Sequence, residues 1–256
     1  MSAWLTDQYG LGGKTAVVTG ARTGIGREVA LTLARCGADL ILLGRDLDGL
    51  AEAAREAESL GVVVRTAAAD MSDLEAVRET ARQLSEEFEV DILVNNAGTI
   101  RRAPLLEADS SDWREVLTVN LDAIFELTRP IARGMLARGS GKIVNIASLL
   151  SFQGGINVAG YAASKHGVVG LTRAMSNEWA VHGVNVNAVA PGYVETNNTE
   201  ALRADADRRA AITDRIPAGR WATPADISGA VAFLCSRAAG YVHGHVLVVD
   251  GGWMAR

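Results

Sequence analysis

The 256-residue chain is 48% hydrophobic, ample for one substantial core, and its net charge of −5 leaves 25 Lys and Arg spread along its length. That distribution argues against a nucleic-acid protein, and the opening MSAWLTDQYG reads neither as a signal peptide nor as a membrane span. Cys36 and Cys235 lack a CxxC partner; one long-range disulfide is open, and two reduced core thiols in a cytosolic protein is the preferred reading.

Lys14–Thr19 is a β-branched run that reads as a first strand. Gly20-Ala-Arg-Thr-Gly24-Ile25-Gly26 follows, and Arg27 to Arg35 has helical periodicity. Strand, glycine turn and helix form the context of a dinucleotide site, with phosphate against the helix N-terminus. The spacing is GxxxGxG, and no GK[ST] makes it a P-loop.

Asp39–Gly44 is the second strand, with a helix from Arg45-Asp46 to about Leu60. Arg45 after the strand and Arg22 within the glycine loop suit a 2′-phosphate, which favours NADP(H) while NAD(H) stays open. Asp46 either caps the helix or repels that phosphate. Val62–Ala67 is the third strand, ending near Asp70-Met71, and Ser72 with Glu75 predicts a capped helix start. Asp70 can instead accept from an adenine amine.

Val90–Val94 is the fourth strand, closed by the Asn95-Asn96-Ala97-Gly98 turn. Asp112 to Arg138 reads as one long helix containing Asn120. Ile143–Ala147 is the fifth strand, ending at Ser148. The next helix carries Tyr161 and Lys165 at i and i+4, on one face, and runs to about His182. A cation so placed is expected to lower the tyrosine pKa and make the phenol a proton donor and acceptor near neutrality.

Val184–Ala190 is the sixth strand, broken by Pro191-Gly192. The polar excursion from about 192 to 220 reads as a substrate lid. Thr223-Pro224 starts a helix to about Ser236, and His245–Asp250 is the last strand. His243 and His245 offer too few ligands for a metal site, so no metal is expected. Alternating strands and helices predict an α/β fold: a doubly wound, Rossmann-like parallel sheet with helices on both faces, in one domain spanning 1–256.

Taken in order, Thr19-Gly20, Gly24-Ile25-Gly26, Asn95-Asn96-Ala97-Gly98, Asn120, Ser148, Tyr161-x-x-x-Lys165 and Pro191-Gly192 with Thr196 resemble the short-chain dehydrogenase/reductase family over nearly the whole chain. Ile146–Ile156, Ala190–Thr199, Arg215–Trp221 and the VDGGW tail resemble its sugar-acid dehydrogenases, of the 2-dehydro-3-deoxygluconate and gluconate types. Gly44-Arg45-Asp46 differs from the strand-two ending of the first type, generally NAD-linked, and is nearer that of the second.

The resemblance implies an NAD(P)-dependent oxidoreductase that interconverts a secondary alcohol and a ketone on a sugar acid. A 3-oxoacyl-thioester reductase is the alternative, and a non-catalytic cofactor-binding protein is a third reading. Tyr161 would be the acid/base, Lys165 would lower its pKa and bind the nicotinamide ribose, Ser148 would hold the carbonyl oxygen and Asn120 a relay water. Gly20, Arg22, Thr23, Gly24, Ile25, Gly26, Arg45, Asp70, Met71, Asn96, Ala97 and Gly98 would hold the adenosine and phosphates. Pro191, Gly192, Val194 and Thr196 would meet the nicotinamide side. A sugar-acid carboxylate calls for a cation, with Arg101, Arg102, Arg203 and Arg220 as candidates. Gln153, Asn157 and Tyr193 are candidates for its hydroxyls, and Phe152 for an apolar wall. A cytoplasmic homotetramer is implied.

Overall fold

The computed structural model describes residues 2–256. Seven strands form one parallel sheet in the order β3-β2-β1-β4-β5-β6-β7. They are β1 (Thr15–Thr19), β2 (Asp39–Gly44), β3 (Val64–Ala68), β4 (Ile92–Asn95), β5 (Gly141–Ile146), β6 (Val184–Pro191) and β7 (Val246–Val249). The order reverses between β1 and β4, and the crevice beyond the strand ends at such a switch is where open α/β sheets bind ligands.

Apart from the edge strand β3 and a few buried asparagines, the strands are apolar on both faces because helices cover both. Val18, Leu40 and Leu42 face one core and Val17, Ile41 and Leu43 the other. The first core is closed by α2 (Gly24–Arg35), α3 (Leu47–Glu58) and α10 (Pro224–Cys235). The second is closed by α4 (Leu74–Glu87), α6 (Ala123–Arg138) and α7 (Ala159–Trp179). Cys36 and Cys235 end α2 and α10 as free thiols.

Two local expectations need correction, and one element was not foreseen. Ser72 does not cap α4; Asp73 does, accepting from the Glu75 and Ala76 amides, while Ser72 donates to Asp70 within the preceding turn. The long helix from Asp112 is α5 (Ser110–Leu117), a π-helical turn at Thr118–Asp122, and then α6. The amphipathic period continues through that turn, so the sequence does not reveal the extra residue. Residues Ala3–Tyr9 also form a helix, α1, held to the body by an Asp7–Arg237 ion pair at 2.6 Å.

Beyond β6 the chain makes no strand until β7, apart from an isolated bridge from Val194 to Ala222. It forms the short helices α8 (Glu200–Ala204) and α9 (Ala206–Arg215) instead.

Candidate active site

The glycine loop sits across the β1/β4 switch. Thr19 at the end of β1 uses its Oγ1 to accept from the Asn96 and Ala97 amides, both at 2.9 Å. Asn96 returns its side-chain amide to the Thr19 carbonyl at 2.9 Å. The approach is close: a Cβ on Gly26 would lie 2.3 Å from both Asn96 Nδ2 and the Gly20 carbonyl. Gly24 turns with φ of +60°, a left-handed conformation that favours glycine.

The first turn of α2 carries no side-chain cap, although Thr23 occupies the N-cap position. Asp46, Asp73 and Asp109 close the equivalent ends of α3, α4 and α5. The amides following Thr23 are therefore left to an external acceptor, and a glycine-lined helix N-terminus fits a pyrophosphate. The residues present fit the dinucleotide that the motif implies.

At the neighbouring β2 end, Arg22 and Arg45 are exposed. Asp46 spends its two carboxylate oxygens on the Asp48 and Gly49 amides, both at 3.1 Å, so it is a helix cap. Asp70 accepts from Ser72, through both amide and hydroxyl, and that bonding together with the Arg45 charge holds its carboxyl below the usual range. Met71 is buried beside it.

The catalytic candidates converge from β5, α7 and the π turn. Ser148 accepts from the Leu150 amide at 3.2 Å, so its own proton remains free to donate. Burial pushes the Tyr161 phenol above its ordinary range, against opposing pulls from Ser148 hydrogen bonding and the Arg102 charge.

Lys165 is 3% exposed, and burial pushes its ammonium down to about 8. Its Nζ donates to the Ile146 carbonyl at 2.7 Å and lies 5.6 Å from the Tyr161 ring centroid. The expectation that Lys165 lowers the Tyr161 pKa is therefore corrected for this structure: desolvation dominates, and the ammonium is directed to the strand end.

Asn120 is fully buried, and its side chain is used up. Its Oδ1 accepts from the Thr99 amide at 2.8 Å; its Nδ2 donates to the Thr99 carbonyl and Ser164 Oγ, each at 3.0 Å. It pins the loop after β4 against α7, and Gly98 is thereby brought beside Lys165 Nζ.

Of the four arginine candidates for a carboxylate, two are paired with acids and two reach only main-chain carbonyls, Arg203 keeping a buried Nε without a partner among the described residues. Arg101 pairs with Glu115 at 2.7 Å, Arg220 with Asp226 at 2.7 Å, and Arg203 donates to the Thr196 carbonyl at 3.1 Å. Arg102 reaches the Asn198 carbonyl at 2.9 Å and is the one whose charge bears on Tyr161. Gln153 Oε1 accepts from the Trp253 indole at 3.1 Å, and Tyr193 packs between Trp221 and Trp253 with ring centroids 5.1 and 4.9 Å away. Asn157 and Phe152 are exposed at the near side. On the far side Pro191 ends β6, Gly192 donates to the Val249 carbonyl, Val194 is buried, and Thr196 stacks its methyl toward Gly24. His243 meets Asn185 before β7, away from these groups.

The profile described as enoyl-(acyl carrier protein) reductase matches residues 20–254. The chain is 50% identical over 253 residues to 2-dehydro-3-deoxy-D-gluconate 5-dehydrogenase of Bacillus subtilis (strain 168), covering 99% of each chain. The chain belongs to the short-chain dehydrogenase/reductase family. It is also 42% identical to gluconate 5-dehydrogenase of Gluconobacter oxydans (strain 621H), with 96% of each chain covered. Among solved structures of the family, a Beutenbergia cavernae protein with NADP bound at low occupancy is 59% identical, with a TM-score of 0.95, 97% of this chain covered and 100% of that one.

The sequence reading of this short-chain dehydrogenase/reductase missed two polar devices. Ser151 accepts from the Ser148 amide at 3.3 Å and donates to the Lys165 carbonyl at 2.8 Å, tying the β5 end directly to α7. The Ser148-x-x-Ser151 spacing of a capping box was the available signal. Beneath the site, Asn95 donates to Asn145 at 2.8 Å and Thr128 at 3.1 Å, and Asn145 donates to Thr172 at 2.9 Å. All four are at most 3% exposed, a satisfied network that fixes β4 and β5 against α6 and α7. Polar residues inside apolar strands were its only trace in the sequence.

Proposed function

We propose that this protein is an NADP(H)-dependent oxidoreductase that interconverts a secondary alcohol and a ketone on a sugar acid of the gluconate or 2-dehydro-3-deoxygluconate type. The observation that carries the reading is the convergence of Ser148, Tyr161 and Lys165 beside an uncapped, glycine-lined helix end, with the Arg102 charge bearing on the phenol. The curated relatives that act on these acids cover almost the whole chain, and their names support the substrate class. A gluconate 5-dehydrogenase from Burkholderia cenocepacia J2315, 39% identical with a TM-score of 0.94, was solved with NADP and tartrate and supports the cofactor choice.

The cofactor would rest on Gly20, Thr23, Gly24, Ile25 and Gly26, with Asn96, Ala97 and Gly98 along the ribose, Asp70 and Met71 toward the adenine, and Arg22 and Arg45 at the 2′-phosphate. When bound it supplies or takes the hydride. Tyr161, whose phenol is protonated at pH 7 and is held so more firmly by burial, donates its proton to the substrate oxygen in the reducing direction. Ser148, whose oxygen accepts from the Leu150 amide and whose proton is free, donates to the same oxygen as charge develops there. Lys165 holds its proton loosely near neutral pH and can pass it on. The role of Asn120 in a relay falls to its main chain in the π turn, since its side chain is committed to Thr99 and Ser164.

Arg102 is the best placed partner for the sugar-acid carboxylate. Residues 192–220 act as the lid, with Thr196 near the glycine loop for the carboxamide and Arg102 already bonded to Asn198. Exposed Leu105, Leu106, Trp113 and Phe125 on or beside α5 and α6 support burial of this face between copies of the chain; a cytoplasmic homotetramer is the form this proposal takes.

The test is a spectrophotometric panel of gluconate, 2-deoxygluconate, 2-dehydro-3-deoxygluconate and an acetoacetyl thioester, each with both cofactors. Turnover of one of the acids with NADP(H) is expected. Preference for the thioester would replace this reading with the 3-oxoacyl reductase, a reading kept open by the FabG relative at 40% identity.

A further inference from the structure

Gly49 stands at the third position of α3, in an ordinary helical conformation. Alanine is the better helix former at such a position, so backbone freedom does not account for glycine there. Space does. A Cβ on Gly49 would fall 2.5 Å from Arg22 Cδ, 3.4 Å from Arg22 Cγ and 3.1 Å from Asp46 Oδ2. The stem of Arg22 therefore lies across the bare Gly49 backbone, reaching from the glycine loop to the first turn of α3. Among the described residues, no acidic group forms an ion pair with Arg22, whereas Arg27, five residues on, pairs with Glu52 and Glu56. Asp46 beside it is spent on the α3 amides and does not clamp the guanidinium.

We propose that Gly49 is a positioning residue for cofactor specificity: by lacking a side chain it seats Arg22 at the β2 end, where it answers the 2′-phosphate of the dinucleotide. This deepens the NADP(H) reading above and rests on it. A methyl group at residue 49 displaces the flexible Arg22 stem and asks Asp46 Oδ2 to give by only a few tenths of an ångström, which costs the fold little. It moves a guanidinium off a ligand, which costs selectivity, because charge-assisted contacts to phosphate depend on geometry.

Equilibrium titration of the purified full-length protein tests this with four probes: NADPH, NADH, adenosine 2′,5′-bisphosphate and 5′-AMP. Gly49→Ala is expected to weaken the two 2′-phosphorylated probes about tenfold and to leave the other two within about twofold, the loss of roughly one charge-assisted contact. Its Tm is expected to match or exceed that of the wild type. In an Arg22→Ala background the same substitution is expected to have no further effect on NADPH, since its partner is gone. Equal weakening of all four probes, or undiminished weakening in the Arg22→Ala background, overturns the proposal in favour of a purely structural role. Loss of selectivity in Arg22→Ala with none in Gly49→Ala overturns it while leaving the NADP(H) reading standing. A wild type without preference for the 2′-phosphorylated probes overturns both.

Discussion

Lys165 donates its Nζ to the main-chain carbonyl of Ile146 at 2.7 Å, which anchors a buried ammonium at the end of β5. Its pKa of about 8, against an ordinary 10.5, means the folded state bears a cost for keeping that charge. Lys165→Met is expected to be inactive yet more stable than the wild type at pH 7, by about 1–3 kcal/mol after the lost hydrogen bond is counted. The sign of the pH dependence follows. Below about 8 both folded and unfolded chains hold the proton, and the cost is constant. Between about 8 and 10.5 the folded chain has shed it and the unfolded chain has not, so wild-type stability gains with pH and the advantage of the variant shrinks. Urea unfolding of both proteins from pH 7 to 10 measures this; a variant less stable at pH 7 contradicts it.

Tyr161→Phe removes only a hydroxyl from the cleft. Turnover is expected to fall by about 10²–10⁴-fold, the usual reach of a positioned proton donor, with cofactor affinity held within about threefold. Because burial raises this phenol, the wild-type minus variant absorbance difference at 295 nm in the free protein is expected to develop only above about pH 10. Ionisation near neutrality would show that Lys165 governs the phenol after all.

Arg45 is exposed at the β2 end, and its charge is one of the influences that hold the Asp70 carboxyl down. Arg45→Ala is expected to weaken NADPH about tenfold and NADH little, and to flatten the salt dependence of NADPH binding. Comparable losses for both cofactors would remove Arg45 from the 2′ site.

Most of the sheet was legible because its central strands are buried on both faces, so that Asp39–Gly44 reads as a short apolar run and Val184–Ala190 as a β-branched one, the strand itself running on to Pro191. The Tyr161–Lys165 pair was legible because helical spacing alone puts both on one face. What escaped lies in choices between near-equal local partners. Ser72 and Asp73 both suit a cap, and tertiary placement decided for Asp73. The π turn at Asn120 needs one extra residue per turn, which a hydrophobic period does not register. The direction of the Tyr161 shift depends on where Lys165 Nζ points, and a sequence carries no such vector. The same holds for the arginines: Arg101 and Arg102 are adjacent, yet one is spent on Glu115 and the other reaches Asn198 with its charge felt at Tyr161.

Asn157 is the single non-glycine among the described residues with positive φ, at +62°. The turn it makes aims its carbonyl at the Ala103 amide, 3.0 Å away, and so fixes the loop that carries Arg102. Asn157→Gly accepts the same backbone and is expected to keep stability and the sugar-acid KM near wild type. Asn157→Val does not; about 1–2 kcal/mol of stability should be lost, and the Arg102 loop should shift. The sugar-acid KM is then expected to rise about tenfold with a smaller change in kcat, as in Arg102→Ala, because both variants lose a carboxylate contact rather than the proton donor. Steady-state kinetics with thermal melts separate the cases. A valine variant that melts early but binds substrate normally would mean that the strained turn supports the fold alone, with no hold on Arg102.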